Sequence, residues 1–364
     1  MWVMKLEKVI TMLKSYVRGN KNGQYNIHPI KGDVAILNSR VSIAIEHGSR
    51  EIHIELPLEK AEGISKHFTF NEYTCGNDWN AKLENAEAAS ELPPAAYPEG
   101  ESAVISGSKI AKFSGLVKGL LNGSEIVFDK VRNAFLIDSA ENRLRFITTN
   151  GAGIALESFS SGVLPKEIYS INYLANLLLN AVIEKKAEYR IAFSQNTVTF
   201  FSQEKGQLFR YLDKGTYPNN RNLNTFVAYD LPLGREIDGG AVDRILTCIG
   251  EADESEPNKV NPPMCCFTVN NRTLCIRKET RQNSYELAAY EAAEMQGKEG
   301  KKLSKLSAYY NIKLLKPYVE YLKQTGTDSK YHIGFVGDKP ERARIVLYNE
   351  NSYCTLMPLD VPRH

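Results

Sequence analysis

The feature that most limits what this chain can fold into is a recurring order of elements. In the middle third, 107–121 (GSKIAKFSGLVKGLL) places Ile110, Phe113, Leu116, Val117 and Leu120 at helical spacing. Strand-like EIVFD, NAFLID and LRFITT come next, separated by polar turns. A second helix is expected over 170–186, with Ser170 as its cap, and then strands YRIAFS, TVTFFS and QLFRYL. The last third repeats the order. A helix at 240–250 precedes strands CCFTVN and TLCIRKE, and a helix at 306–323 precedes YHIGFV, ARIVLYN and SYCTLMPL. Pro317, inside that last helical pattern, predicts a kink or an early turn. The first third offers a helix at 4–18 and strands DVAILNS, VSIAIEH and EIHIELPL, but no second helix over 60–92. Segment 87–100, EAASELPPAAYPEG, reads as a connection. An internal repeat outweighs any single motif in deciding a fold. The expectation is an α+β chain built from two copies of one unit and a degenerate or shortened third. Each third of the 364 residues, about 121, is a normal domain size.

One stretch inside the repeat invites a different reading. Residues 145–156, RFITTNGAGIAL, carry Gly151 and Gly153 after two threonines, as a phosphate-cradling loop would. Such a loop needs a helix behind it, whose first N–H groups point at the anion. The next residues, ESFSSG, are too few and too serine-rich for that helix. A strand–turn–strand with Asn150-Gly151 at the turn fits better.

Composition closes several other routes. No apolar run approaches the ~20 residues of a membrane span. The start, MWVMKLEKVITMLKSYVRGN, reads as an amphipathic helix, not a signal peptide. The six cysteines include no CxxC pair, so zinc spacing is absent and reduced thiols in a cytoplasmic protein are expected. Cys265 and Cys266, if in a strand, point to opposite faces. Histidines such as His53 and His332 stand singly. Neither a metal nor a cofactor is expected. There is no GxSxG, HExxH or P-loop, and Glu51 and Glu55 alternate on a strand as an exposed face would. Net charge is +2, unevenly spread: −3 over 1–101, +5 over 102–225 and zero over 226–364.

Three segments in this order, TTNGAGIAL at 148–156, QLFRYLDKGTYPNNRNL at 207–223 and SYCTLMPLD at 352–360, resemble the bacterial DNA sliding clamp family, the β subunit of the replicative polymerase. That family carries a Thr-Asp-Gly-x-Arg-Leu-Ala turn in its middle domain, where Thr149, Asn150, Gly151, Ala152, Gly153, Ile154 and Ala155 stand here. Its Gly-x-Phe-Pro-Asp-Tyr junction corresponds to Gly215, Thr216, Tyr217, Pro218, Asn219 and Asn220, and its closing Met-Pro to Met357 and Pro358. LPPAAYP at 92–98 is similar to its first connector. The resemblance covers about 100–360 and is weak over 1–90.

The resemblance implies three repeated clamp domains, 1–101, 102–225 and 226–364, the first divergent, each with two helices packed on antiparallel sheets. It implies a homodimeric ring around duplex DNA that tethers a polymerase as a non-catalytic processivity factor. Polymerase and clamp-loader peptides would dock in a groove formed by Thr149, Gly151, Ile154, Pro218, Leu223, Leu314, Met357, Pro358 and Leu359. Read without the resemblance, Ile154, Leu223 and Met357 are core residues, as apolar strand residues usually are. Three departures bear on partner choice: Gly153 replaces the turn's arginine, Asp360 replaces a basic residue, and 361–364 extend the end. The short first domain bears on whether the ring closes.

Helices lining such a ring would be basic without reading bases, since phosphate contacts carry no sequence information. Lys109, Lys112 and Lys118 occur on 107–121 with no acid; Lys8, Lys14 and Arg18 lie near the start; Lys313, Lys316 and Lys323 lie on the last helix. Asn172, Asn176 and Asn180, then Lys185 and Lys186, are further candidates on 170–186. A solvated helix face explains such residues equally well. Helix 240–254 is acidic, with Asp243, Glu251, Asp253 and Glu254 against Arg244. The alternatives are a non-catalytic clamp-like scaffold of a mobile element and an uncharacterised enzyme.

Overall fold

The computed structural model describes residues 30–37, 40–57, 66–71, 96–120, 135–213, 235–237, 239–253, 264–270, 273–279, 284–291, 295–296, 306–325, 331–337 and 339–359. The expected helix at 4–18, the strand at 125–129 and the junction at 215–220 lie outside them. Contacts divide the chain into two units, Met1–Arg145 with Ser160–Asn219, and Phe146–Phe159 with Asn220–His364.

In the first unit, alternating apolar residues build a continuous antiparallel sheet. Its strands are β1 (Ile30–Leu37), β2 (Arg40–His47), β3 (Arg50–Pro57), β4 (Lys66–Asn71) and β5 (Ala103–Ser106). After the hairpin β6 (Phe135–Ala140) and β7 (Arg143–Thr149), then β8 (Gly153–Ser160) and β9 (Tyr169–Ile171), come β10 (Glu188–Ser194), β11 (Thr197–Ser202) and β12 (Gln207–Asp213). The eight-stranded order is β4-β1-β2-β3-β12-β11-β10-β5. Ile43, Ile45, Ile52, Ile54, Ile191, Phe200 and Phe209 form its buried face. Against it lie α1 (Gly107–Gly119) and α2 (Tyr173–Val182), with the Phe113 ring tilted against Phe135 and Phe135 against Phe200.

Two expectations change here. Ser170 does not cap α2; it is buried in β9, and Asn172 takes the cap, its side-chain oxygen accepting from the Ala175 N–H at 2.9 Å. Asn172 wins because the cap must sit directly before the first helical turn, where Ser170 does not reach. Glu55 is not exposed. It sits opposite Leu208, buried, within 3.0 Å of His53 Nε2, whereas Glu51 is exposed.

The second unit has its own helix pair, α3 (Gly239–Asp253) and α4 (Ile312–Thr325). One sheet runs β16 (Ser284–Glu291), β15 (Thr273–Glu279), β14 (Met264–Asn270), β18 (Leu306–Asn311). Another runs β13 (Arg235–Ile237), β19 (Tyr331–Val336), β20 (Arg344–Tyr348), β21 (Ser352–Leu356), β8, and β17 (Met295–Gln296) joins β19 in parallel. Cys265 and Cys266 are both buried, so β14 is covered on both faces. His332 stacks on Tyr348.

The expected helix at 306–323 starts six residues late. LSAYYN is β18, with Ala308 and Tyr310 buried on one face, and the Asn311 side chain accepts from Lys313 N–H at 3.0 Å where the helix begins. Pro317 lies in the second turn and the helix runs on through Thr325. Within the described residues the chain is α+β, with helices in pairs on antiparallel sheets.

Candidate partner-binding groove and basic helix faces

The GxG stretch is a strand–turn–strand. β7 ends at Thr149 and β8 begins at Gly153. Three residues turn the chain because side chains replace the missing backbone bonds. Asn150 Oδ1 accepts from Ala152 N–H at 3.0 Å and Gly153 N–H at 2.8 Å. Thr149 Oγ1 accepts from Gly151 N–H at 3.1 Å and donates to the Gly153 carbonyl at 2.7 Å. Gly151 has φ +83°, which a side chain would strain. The loop N–H groups are thus consumed internally, which removes the anion cradle.

Strand ends bring the remaining walls to this turn. The Met357 N–H donates to the Ala152 carbonyl at 2.8 Å, and the Leu359 N–H to the Tyr309 carbonyl at 2.7 Å. Ile154 stands opposite Thr355 in the β8–β21 register. Leu314 lies in the first turn of α4, which packs on β21. Met357 is 54% exposed, so it is not a core residue. Ile154, Leu314, Pro358 and Leu359 are half-buried, and Gly151 is exposed. Thr149 is buried and spent on the turn. Pro218 and Leu223 lie outside the described residues. All the described members belong to the second unit.

Gly153 is set by close approach. A Cβ there would come within 2.6 Å of the Thr355 carbonyl and 2.8 Å of Tyr318 Oη. The arginine that the family carries at this place has no room on this backbone.

Sequence reading missed a buried carboxylate on the strand that follows the turn. Glu157 is 6% exposed, and its Oε2 accepts from Ser352 Oγ at 2.6 Å and Tyr321 Oη at 2.5 Å. Burial first, then the Glu157 charge, pushes the Tyr321 hydroxyl well above its ordinary range. The signal was in GIALESFS: Gly153, Ala155, Glu157 and Phe159 alternate onto one buried face. Ala152 and Tyr309, which act through their carbonyls, left no side-chain signal.

The basic candidates separate by element. On α1, Lys109 and Lys118 are exposed and Lys112 half-buried. At about 100° per residue, Lys109 and Lys118 flank the solvent face about 180° apart, and Lys112 lies between them. Lys118 also sits in the last turn, where a cation suits the helix dipole. On α4, Lys313, Lys316, Glu320 and Lys323 fall within about 80° of one another, a single stripe. Lys323 pairs there with Asp243 of α3 at 2.6 Å. Lys8, Lys14 and Arg18 lie outside the described residues.

The asparagines of α2 face its neighbouring helix, contrary to the expectation of solvent contacts. Asn176 is fully buried and donates to the Ser114 carbonyl at 3.1 Å; Asn180 donates to the Ala111 carbonyl at 3.1 Å. Ser114 Oγ returns a bond to the Asn176 carbonyl. Helix periodicity at i, i+4 put both amides on one face, and that face is the packed one.

Among the described residues, no three His, Cys, Asp or Glu side chains converge as a metal site, and no helix is long and apolar enough to cross a membrane. No family model matches the chain, and no curated protein matches it in sequence. Solved structures do. The DNA polymerase III subunit beta from Pseudomonas aeruginosa matches with TM-score 0.58 at 14% identity, over 98% of both chains. The DNA polymerase sliding clamp from Bacillus subtilis matches with TM-score 0.60 at 12% identity, again over 98% of each. The Helicobacter pylori beta clamp bound to a DNA ligase peptide matches with TM-score 0.58 at 9% identity over 98% of each. From one end to the other, this chain has the fold of the bacterial DNA sliding clamp, the β subunit of DNA polymerase III.

Proposed function

We propose that the protein is a DNA sliding clamp. Three domains, 1–101, 102–225 and 226–364, make each subunit, and two subunits close head to tail around duplex DNA. The ring has no catalytic role of its own; it works in the cytoplasm as a processivity factor, holding a DNA polymerase and other replication or repair proteins on the template. Partner and clamp-loader peptides dock at the turn carrying Gly151, with Ile154, Leu314 and Met357–Leu359 as apolar contacts.

The observation that carries this reading is the position of Met357. A large apolar side chain stands 54% exposed on a backbone tied to the Ala152 carbonyl of the turn. Exposed apolar groups that converge beside one another mark binding surfaces more often than stray exposure does. A solved clamp of the same fold carries a DNA ligase peptide. Dimer closure would draw on a sheet edge, and among the described residues β16 pairs only with β15. The lysine stripe on α4 supports loose phosphate contact, which salt would weaken.

The test combines mass and affinity. Sedimentation should give a dimer, and a fluorescein-labelled peptide with leucine and phenylalanine anchors should bind it. Met357→Ala with Leu359→Ala should weaken that peptide at least tenfold and leave the dimer mass unchanged, since a buried apolar side chain contributes roughly 1.5–3 kcal/mol. A monomer at micromolar concentration, or an unchanged affinity in a folded double variant, would remove the reading.

A further inference from the structure

Three elements supply the groove's described walls, and one buried carboxylate touches all three. β8 carries Glu157 and, at its start, the turn. β21 carries Ser352 and, past its end, Met357–Leu359. α4 carries Tyr321 and, two turns earlier, Leu314. Ser352 lies directly opposite Glu157 in the strand register, and both hydroxyls donate to the same oxygen.

Burial alone does not define where β21 sits. All five of its residues, Ser352, Tyr353, Cys354, Thr355 and Leu356, are buried. A strand with one buried face is held in register because a slip of one residue turns its apolar side to water. β21 has no such contrast between faces. Apolar contact is non-directional, so the discrimination must come from directional bonds. The Glu157–Ser352 pair supplies one, and the Tyr321 hydroxyl ties α4 to the same point.

We propose that Glu157 is a positioning residue for the partner groove: with Ser352 and Tyr321 it sets the register of β21 and the seat of α4, so that Met357 meets Ala152 and Leu314 faces the same site. This rests on the groove being a peptide site, but the geometry it sets is measurable without any peptide. A buried ion or polar cluster often contributes little net stability compared with an apolar replacement of similar volume. Its value here is directional.

The experiment replaces the cluster by apolar groups, Glu157→Leu with Ser352→Ala and Tyr321→Phe, which removes both bonds to the Glu157 carboxylate together. Amide hydrogen exchange is read at Met357 and Leu359, whose N–H groups hold the groove walls together, and at β19 and β20 as internal reference. The expected result is exchange at least tenfold faster at Met357 and Leu359, unchanged protection in β19 and β20, and at least tenfold weaker binding of the fluorescein-labelled leucine–phenylalanine peptide. Glu157→Gln, which keeps an acceptor, should restore most of both. Native-like protection at Met357 and Leu359 in the apolar variant, or a uniform loss across the unit, overturns the proposal. Should the triple variant not fold, Tyr321→Phe alone is read in the same way. If the native protein binds no such peptide, the docking reading fails, and the exchange data still decide the positioning role.

Discussion

The two helix pairs solve one packing problem by different chemistry. In the first unit, α1 and α2 are joined by side-chain amides: the buried Asn176 and the half-buried Asn180 donate into the carbonyls of Ser114 and Ala111. In the second, α3 and α4 are linked at the surface by Lys323–Asp243, each side chain about half exposed. Buried polar groups of the second unit lie instead between helix and sheet, where Tyr321 and Ser352 meet Glu157. A buried amide bond specifies one angle and one register, because leaving it unmade costs the full desolvation of the group. An exposed ion pair specifies little. Polar residues on a helix therefore reveal its wet side only when they are not long enough, or not placed, to reach a neighbouring backbone.

The largest contrast between the units should appear in alkali. Burial raises the Tyr310, Tyr318 and Tyr321 hydroxyls and the Cys354 thiol well above their ordinary ranges, with the Glu157 charge adding at Tyr321 and Cys354. The folded chain keeps these protons while the unfolded chain releases them. Their contribution is thus complete below the ordinary values, 9 for the thiol and 10 for the phenols, and is lost as pH rises beyond them. In the first unit the groups raised among the described residues include the phenols of Tyr169, Tyr189 and Tyr211. Urea titrations across pH 8–11 (about three units, spanning these values) should show the second unit weakening first. Equal onset in both would break the comparison.

Asn176→Asp comes next. A carboxylate facing the Ser114 carbonyl, fully buried, should cost about 3–5 kcal/mol, read as a lower urea midpoint for the first unit. An effect below about 1 kcal/mol would mean that the amide is not the device that joins α1 to α2. Gly153→Ala is the matching change in the second unit. Its Cβ meets the Thr355 carbonyl and Tyr318 Oη, so β21 must shift, at about 1–3 kcal/mol. Lys323→Ala should be smallest, at most about 0.5 kcal/mol, and less still at high salt. A larger loss would place real specificity in the exposed pair.

Sequence pattern found most strands at their true positions, because short runs of β-branched and aromatic residues such as TVTFFS and RIVLY favour a strand. It also found α1 and α3. It erred where a short polar residue had two local options: Ser170 or Asn172 as the cap of α2, and a strand or a helix for LSAYYN. The second error has a physical cause. Ala308 and Tyr310 alternate as a strand, yet together with Leu306 they also extend the helical spacing of α4; pairing with β14 decides between them.

The chain's order of α and β segments, and the identity of the turn, the Met-Pro end and the lysines, were set by sequence alone. These depend on local periodicity and on residues whose backbone preferences travel with them, such as Gly151 at φ +83°. Tertiary structure alone decided which polar residues are wet. Asn176 was turned inward, Glu157 was buried between β8, β21 and α4, Glu55 was covered, and Met357 was left standing out. The reason is that burial is a property of the neighbour brought up against a face, and those neighbours come from segments up to 195 residues away, as Ser352 does for Glu157.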